Sequence, residues 1–243
     1  MLQASWSFER MQSVGFAALM AGEGRRLTKG RPAAAAPFLA RQLTLFNTNP
    51  PLAGYLAGVL LRLEEEVARN EVDHPEQAAR TIDEMRRFKR AAVSAFAAWG
   101  DRFFWGTLRP AATALGVLLV LLAGAWGALA WLIVYNAAHL HHRYHGLSDG
   151  YRLGTAVASR VAASSLRRLP DRIRPIGLVA VGALVPVSLV AGKSAYGLPI
   201  SMAFLATGLV MALVLHRRGG LGWGWGFLAV LFGFAWALLV PGR

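Results

Sequence analysis

Apolar and polar positions alternate differently along this chain, and the change divides it into regions. From Met1 to Met20, Leu2, Trp6, Met11, Val14, Phe16 and Leu19 lie roughly on one side of a helix. Gln3, Ser7, Glu9, Arg10 and Ser13 interleave with them, which predicts an amphipathic helix at a membrane or partner surface. Gly22, Gly24, Gly30, Pro32 and Pro37 then predict a turn-rich break. A short helical piece, Phe38 to Phe46, runs into Asn47-Thr48-Asn49-Pro50-Pro51, where two prolines force a stop. Leu52 to Glu66 resumes as a helix, apolar for ten residues and then acidic. Its Gly54 and Gly58 give a small-xxx-small face for close helix approach. Val67 to Arg90 reads as a solvated helix with Pro75 near its first turn, and Ala91 to Gly100 as a second short apolar piece. Both apolar pieces are too short to span a bilayer, so each is expected as a re-entrant element.

Ala111 to Leu140 is different in kind: thirty residues without Asp, Glu, Lys or Arg. A bilayer crossing needs about 20 apolar residues, so this is a membrane segment longer than one span requires. His139 to Arg174 follows as a basic loop, with seven Arg and two Asp. Three further apolar runs, Pro175 to Gly192, Tyr196 to Leu215 and Gly219 to Val240, are each about one membrane thickness. The chain thus divides into an N-terminal region 1–110, a central membrane segment 111–140, a basic cytoplasmic loop 141–174 and C-terminal transmembrane helices 175–243.

Charge sharpens the topology. Met1 to Pro110 holds 15 basic and 11 acidic residues, and the basic loop is also net positive, so both belong on the cytoplasmic side. A single crossing between them would separate them. Either the central run enters and returns, breaking near Gly124-Ala125-Trp126-Gly127, or the half-spans upstream change the parity.

Composition supports the membrane class: 55% of residues are hydrophobic and 16% charged, with a net charge of +13. The cations flank apolar spans and form no nucleic-acid motif, so anionic headgroups explain them and no nucleic-acid partner is expected. With no cysteine, disulfides, zinc thiolates and cysteine nucleophiles within the chain are excluded. The segment MLQASWSFERMQ has no apolar core of a secretory signal, so none is expected to be cleaved. His139, His141, His142 and His145 form a cluster, but no carboxylate-rich shell accompanies it; it reads as an interfacial loop, and no metal or other cofactor is expected.

Four stretches carry a resemblance: SWSFERMQSVGF (Ser5 to Phe16), RQLTLFNTNP (Arg41 to Pro50), Leu63-Glu64-Glu65 with Gly58 upstream, and GDRFFWGTLRP (Gly100 to Pro110). RYHGLSDGYRLG (Arg143 to Gly154) extends it. The chain resembles the IID component of the mannose/fructose/sorbose family of the bacterial phosphoenolpyruvate-dependent phosphotransferase system. The resemblance implies a non-enzymatic permease subunit of the bacterial inner membrane. It would pair with a IIC membrane subunit, as a trimer of IIC–IID pairs, to translocate a hexose. Soluble IIA and IIB proteins would carry the phosphate, so this chain needs no catalytic residue. It departs from the family at Ser94 to Ala98, SAFAA, where relatives have a Gly-Pro-rich turn. That departure motivates a second reading, a transport-deficient scaffold that reports phosphotransferase state to a partner.

Several residues are candidates for the sugar route. Asn47 and Thr48 offer neutral donors and acceptors suited to sugar hydroxyls, although residues of these types also cap turns. Asp101, beside aromatic residues that include Trp105, suits a sugar hydroxyl next to a stacking ring; it is equally a favoured cap for the helix that follows. Glu65 is a further candidate. Glu64 and Glu65 end a helix where acid opposes the dipole, so a partner is expected: Lys89, Arg109 or a residue of IIC. Arg109 can otherwise snorkel to a lipid phosphate. The fold expected is all-α, a polytopic membrane protein with short re-entrant elements and an amphipathic N-terminal helix.

Overall fold

A computed structural model describes residues 2–192 of the chain. The runs Tyr196 to Leu215 and Gly219 to Val240 lie outside the described residues. Among the described residues the fold is all-α, with strand pairing limited to isolated bridges. The chain divides into two compact units, Met1–Asp101 with Ala138–Arg167, and Arg102–Ala137 with Arg168–Arg243.

In the first unit the N-terminus differs from its expected helix. Residues 2–12 form turns, and α1 covers Ser13–Leu27. Backbone pairing explains the difference. Met11 takes a left-handed conformation (φ 54°), its N–H donates to the Ser7 carbonyl at 2.8 Å, and the Gln12 N–H donates to the Phe46 carbonyl at 2.8 Å. These bonds, one local and one to a distant segment, take backbone groups that a helical ladder would need. Helix α1 then runs through Gly22 and Gly24, where a break was expected. Gly24 has its own reason: a Cβ there would lie 2.5 Å from the Phe38 ring. Helix α2 covers Pro32–Gln42, earlier than the expected Phe38 to Phe46 piece, with Pro32 in its first turn.

The Pro50-Pro51 stop is present as a 3₁₀ turn, Pro50–Leu52, after Asn49 in extended backbone (φ −67°, ψ 124°). Helix α3, Ala53–Asn70, continues past the three glutamates, so these are interior to the helix and not at its end. Helix α4, Pro75–Gly100, joins the polar and short apolar stretches into one element and passes through Ser94 to Ala98 without interruption.

The region read as a basic loop is helical. Helix α6, Ala125–Leu153, carries the histidines, and α7 (Val157–Ala163) follows a 3₁₀ turn at Gly154–Ala156. Glycine explains the change. A Cβ at Gly58 would lie 2.2 Å from the Leu147 carbonyl oxygen, and one at Gly150 would lie 2.1 Å from that of Tyr55. The Gly54/Gly58 face of α3 thus meets Gly146/Gly150 of α6 backbone to backbone, a packing only glycine permits. Phe16, Phe46, Leu56, Leu60 and Phe96 are buried in this unit.

In the second unit, residues Asp101–Leu108 form π-helix, followed by α5, Arg109–Ala123. Gly124 then breaks the chain with φ 57°. A Cβ at Gly127 would strike the Leu119 carbonyl at 2.1 Å, and one at Gly116 would strike the Trp131 ring at 2.6 Å. Positions 116 with 131 and 119 with 127 therefore pair about the break. Helix α5 and the start of α6 form an antiparallel hairpin that reverses at Gly124. Its outer surface is apolar, with Leu121, Trp126, Leu132, Ile133 and Val134 all exposed. By length and composition, one helical stretch among the described residues, Pro75–Leu121, is long and apolar enough to cross a membrane. Helix α8, Ser165–Gly192, takes in the run that begins at Pro175.

Candidate functional site

The centre of the first unit is a polar core built from α2, α3 and α4. The Glu64 carboxylate, only 1% exposed, accepts from Arg41 Nε at 2.8 Å and Nη2 at 2.6 Å. Gln42 Nε2 adds a third donor at 2.7 Å. A bidentate guanidinium is the arrangement that best offsets the desolvation of a buried carboxylate. The expected partners of Glu64 were Lys89, Arg109 or a residue of IIC; its direct partners within the chain are Arg41 and Gln42. Arg109, in the other unit, lies 4.7 Å from the Trp105 ring centroid in a cation–π contact.

Lys89 has a separate task. Its buried ammonium donates to the carbonyls of Arg41 (3.0 Å) and Gln42 (3.1 Å) and to Thr44 Oγ1 (2.7 Å). Those are the carbonyls left unpaired where α2 ends, so a cation there is doubly favoured. The same ammonium lies 5.5 Å and 5.7 Å from the ring centroids of Phe16 and Phe46, which stack at 3.9 Å. Lys89 thereby fixes the start of the segment that leads into Asn47-Thr48-Asn49.

The far end of that segment is held by the end of α4. Asn49 Nδ2 donates to Asp101 Oδ1 at 3.0 Å. A Cβ at Gly100 would lie 2.2 Å from the Asn49 Cβ, so this approach requires glycine. Asp101 therefore accepts from Asn49, and the helical backbone runs on through it where a new helix start was expected. Asn47 is exposed, while Thr48 and Asn49 are 3% and 2% exposed. The Thr48 N–H donates to Gln12 Oε1 at 3.1 Å. Among the described residues, Thr48 Oγ1 and Asn49 Oδ1 are buried with no hydrogen-bond partner. Two adjacent unpaired oxygens are costly, and hydroxyl donors from a ligand would satisfy them.

The structure thus brings together Asn47, Thr48 and Asp101 and adds Asn49, Gln12 and Gly100. The missed signal for Asn49 was its place before Pro50, which confines it to extended backbone. Trp105 belongs to the second unit and is half exposed. Glu65 joins a different group: its carboxylate accepts from Tyr151 Oη and from Arg26 Nη2, across α1, α3 and α6. The Tyr151 bond, followed by Arg26, holds Glu65 below the usual carboxylate range. The histidines are not arranged for a metal among the described residues; His142 Nδ1 instead lies 3.1 Å from Tyr55 Oη.

The family model for the PTS system mannose/fructose/sorbose family IID component matches residues 1–210. The mannose-specific EIID component of Escherichia coli K12 is 34% identical over 186 residues, covering 76% of this chain and 63% of that protein. The fructose permease IID component of Bacillus subtilis strain 168 is also 34% identical, over 185 residues, with 76% and 64% covered. The chain therefore spans under two thirds of the length of these relatives. A chain in the cryo-EM structure of the mannose transporter ManYZ with microcin E492 aligns at a TM-score of 0.57 and 27% identity, covering 100% of this chain and 94% of that one. A second solved chain, described as a membrane protein, aligns at 0.62 and 27% identity, covering 99% and 94%.

Proposed function

This chain belongs to the IID family of the mannose/fructose/sorbose phosphotransferase systems, and on that premise we propose that it is one half of a sugar permease. It pairs with a IIC subunit in the bacterial inner membrane. The pair admits a hexose, which soluble IIA and IIB proteins phosphorylate on arrival, and three such pairs assemble around an axis. The chain itself carries no phosphate and performs no group transfer; it shapes the route.

The observation that supports this reading is the Asn47-Thr48-Asn49 turn, anchored by Lys89 at one end and Asp101 at the other, with two buried oxygens awaiting donors. A sugar is a dense array of hydroxyl donors, and neutral amide and hydroxyl groups recognise it without fixing a charge. Uptake of labelled hexose in cells carrying this chain with its cognate IIC, IIA and IIB tests the proposal. Uptake that falls in Asn47→Ala and Asp101→Ala variants, with assembly intact, supports it.

The uninterrupted passage of α4 through Ser94 to Ala98 favours a second reading, a scaffold that signals phosphotransferase state. No uptake from the complete wild-type set, together with normal assembly, would select it.

A further inference from the structure

Two helices of the second unit change character at the same level. Helix α5 begins at Arg109, and no charged residue follows until Arg143. In α8 the charges end at Arg174, and Pro175 to Gly192 has none. The two boundaries are in contact: a Cβ at Gly177 would lie 2.7 Å from the Ala111 Cβ. At that crossing lies a cavity of about 530 Å³. Thr107, Asp171 and Arg174 line its polar part, and Ala111, Leu178 and Val181 are among the apolar residues that line the rest. Its size is in the range of ordinary ligand pockets.

The charges in the cavity favour an anion. Asp171 is the acidic group in its lining, and Arg102 Nη2 donates to Asp171 Oδ1 at 3.0 Å. With that carboxylate neutralised, Arg174 leaves the cavity net positive. The Thr107 hydroxyl donates to the Arg102 carbonyl at 2.8 Å, a bond that spans five residues of the π-helix, so Arg174 is the group in the lining that can meet an anion. A π segment widens the helix where it occurs, and Gly106 and Thr107, two of its residues, line the cavity. A site that is cationic where two helices leave the polar zone, and apolar beyond it, matches an amphiphile with a phosphate at its head.

We propose that this cavity is a binding site for an anionic phospholipid, with the headgroup phosphate on Arg174 and an acyl chain along Ala111, Leu178 and Val181. The proposal depends on the membrane class of the chain and not on the sugar route, so loss of uptake in another variant leaves it untouched.

The test uses the full chain purified with its membrane partner subunit in mild detergent. Native mass spectrometry would follow retention of phosphatidylglycerol against phosphatidylcholine. Preferential retention of phosphatidylglycerol is expected. Arg174→Gln should cut it roughly fivefold, the equivalent of about 1 kcal/mol for one basic residue at a lipid surface. Val181→Trp, which fills the cavity and keeps every charge, should also displace the lipid, with the complex still assembled on size exclusion. A soluble short-chain glycerophosphate that competes as well as the full lipid would show a phosphate site without a chain site and overturn the proposal. Equal retention of both lipids, or wild-type retention in both variants, would overturn it too. Because the chain has no cysteine, Val181→Cys gives a last check: cross-linking to the partner subunit in place of labelling by a maleimide lipid would show that protein fills the cavity.

Discussion

Asn49 Nδ2 donates to Asp101 Oδ1 at 3.0 Å across 52 residues of sequence. The bond ties a proline-stopped turn to the last residue before the second unit begins. Asp101→Ala removes the acceptor and leaves the buried Asn49 amide unpaired, at a cost of about 1.5–3 kcal/mol for a hydrogen bond to a charged group. Asp101→Asn keeps an acceptor at the same place and should restore most of the stability. If hexose uptake also requires the charge, the Asn variant will assemble normally and still transport poorly. Thermal unfolding of the complex beside an uptake assay separates the two effects.

Glu64 is the most consequential carboxylate in the first unit. Glu64→Ala strands Arg41 in a largely buried position and should destabilise by about 3–5 kcal/mol. The double variant Arg41→Met, Glu64→Leu should recover much of that, because apolar replacement of a buried pair is often tolerated. Recovery smaller than about 1 kcal/mol would mean that the pair is needed for a conformation beyond its own energy.

The α3–α6 contact predicts a sharp asymmetry among glycines. Gly58→Val or Gly150→Val must push two backbones apart and should cost about 3 kcal/mol or more, since backbone atoms cannot rotate away. Gly22→Ala, in the interior of α1 with nothing within 4 Å of a new Cβ, should stabilise by up to about 1 kcal/mol. Melting temperatures of the three variants, taken together, check this.

Acid sensitivity should trace partly to Glu65. Tyr151 and Arg26 favour its charged form, so its affinity for a proton is lower in the folded chain than in the unfolded one. The unfolded state therefore binds the proton first as pH falls. The stabilisation is present above the ordinary carboxylate pKa of 4.5 and is lost as pH drops through the lowered folded value. Glu65→Gln should flatten the stability–pH curve in that acidic window, lower stability near neutrality by the contribution lost, and leave the slope near neutrality unchanged. A curve of unaltered slope would assign the acid response to other groups.

Much of this was legible from residue types. The Pro50-Pro51 stop, the Gly54/Gly58 face and a break near Gly124 follow from proline and glycine chemistry, which acts locally. Tertiary pairing was less accessible. Residues 2–12 have a helical apolar pattern, yet Gln12 bonds to Phe46, 34 positions away, and the segment forms turns. The basic stretch from His139 read as a loop because its charges suit solvent, whereas Gly146 and Gly150 had a packing partner in α3 that no local signal reveals. The candidate site was half visible: Asn47, Thr48 and Asp101 stood out as polar groups among apolar ones. Asn49 and Lys89 act through geometry, one as a tether and one as a clamp on carbonyls, and their residue types alone announce neither.

The unbroken course of α4 has a consequence for how this chain can vary. Lys89 and Asp101 are twelve residues apart on one helical path, about 18 Å at 1.5 Å per residue. Together they act as a ruler laid against the Asn47-Thr48-Asn49 turn, gripping it at two marks. Substitutions at the exposed positions Ser94 and Ala98 leave the spacing of the marks intact, so composition there is free to drift, whereas Phe96 between them is buried in the core. One inserted or deleted residue would swing one mark by about 100° around the helix relative to the other. Length, together with the buried ring of Phe96, is what this stretch must keep.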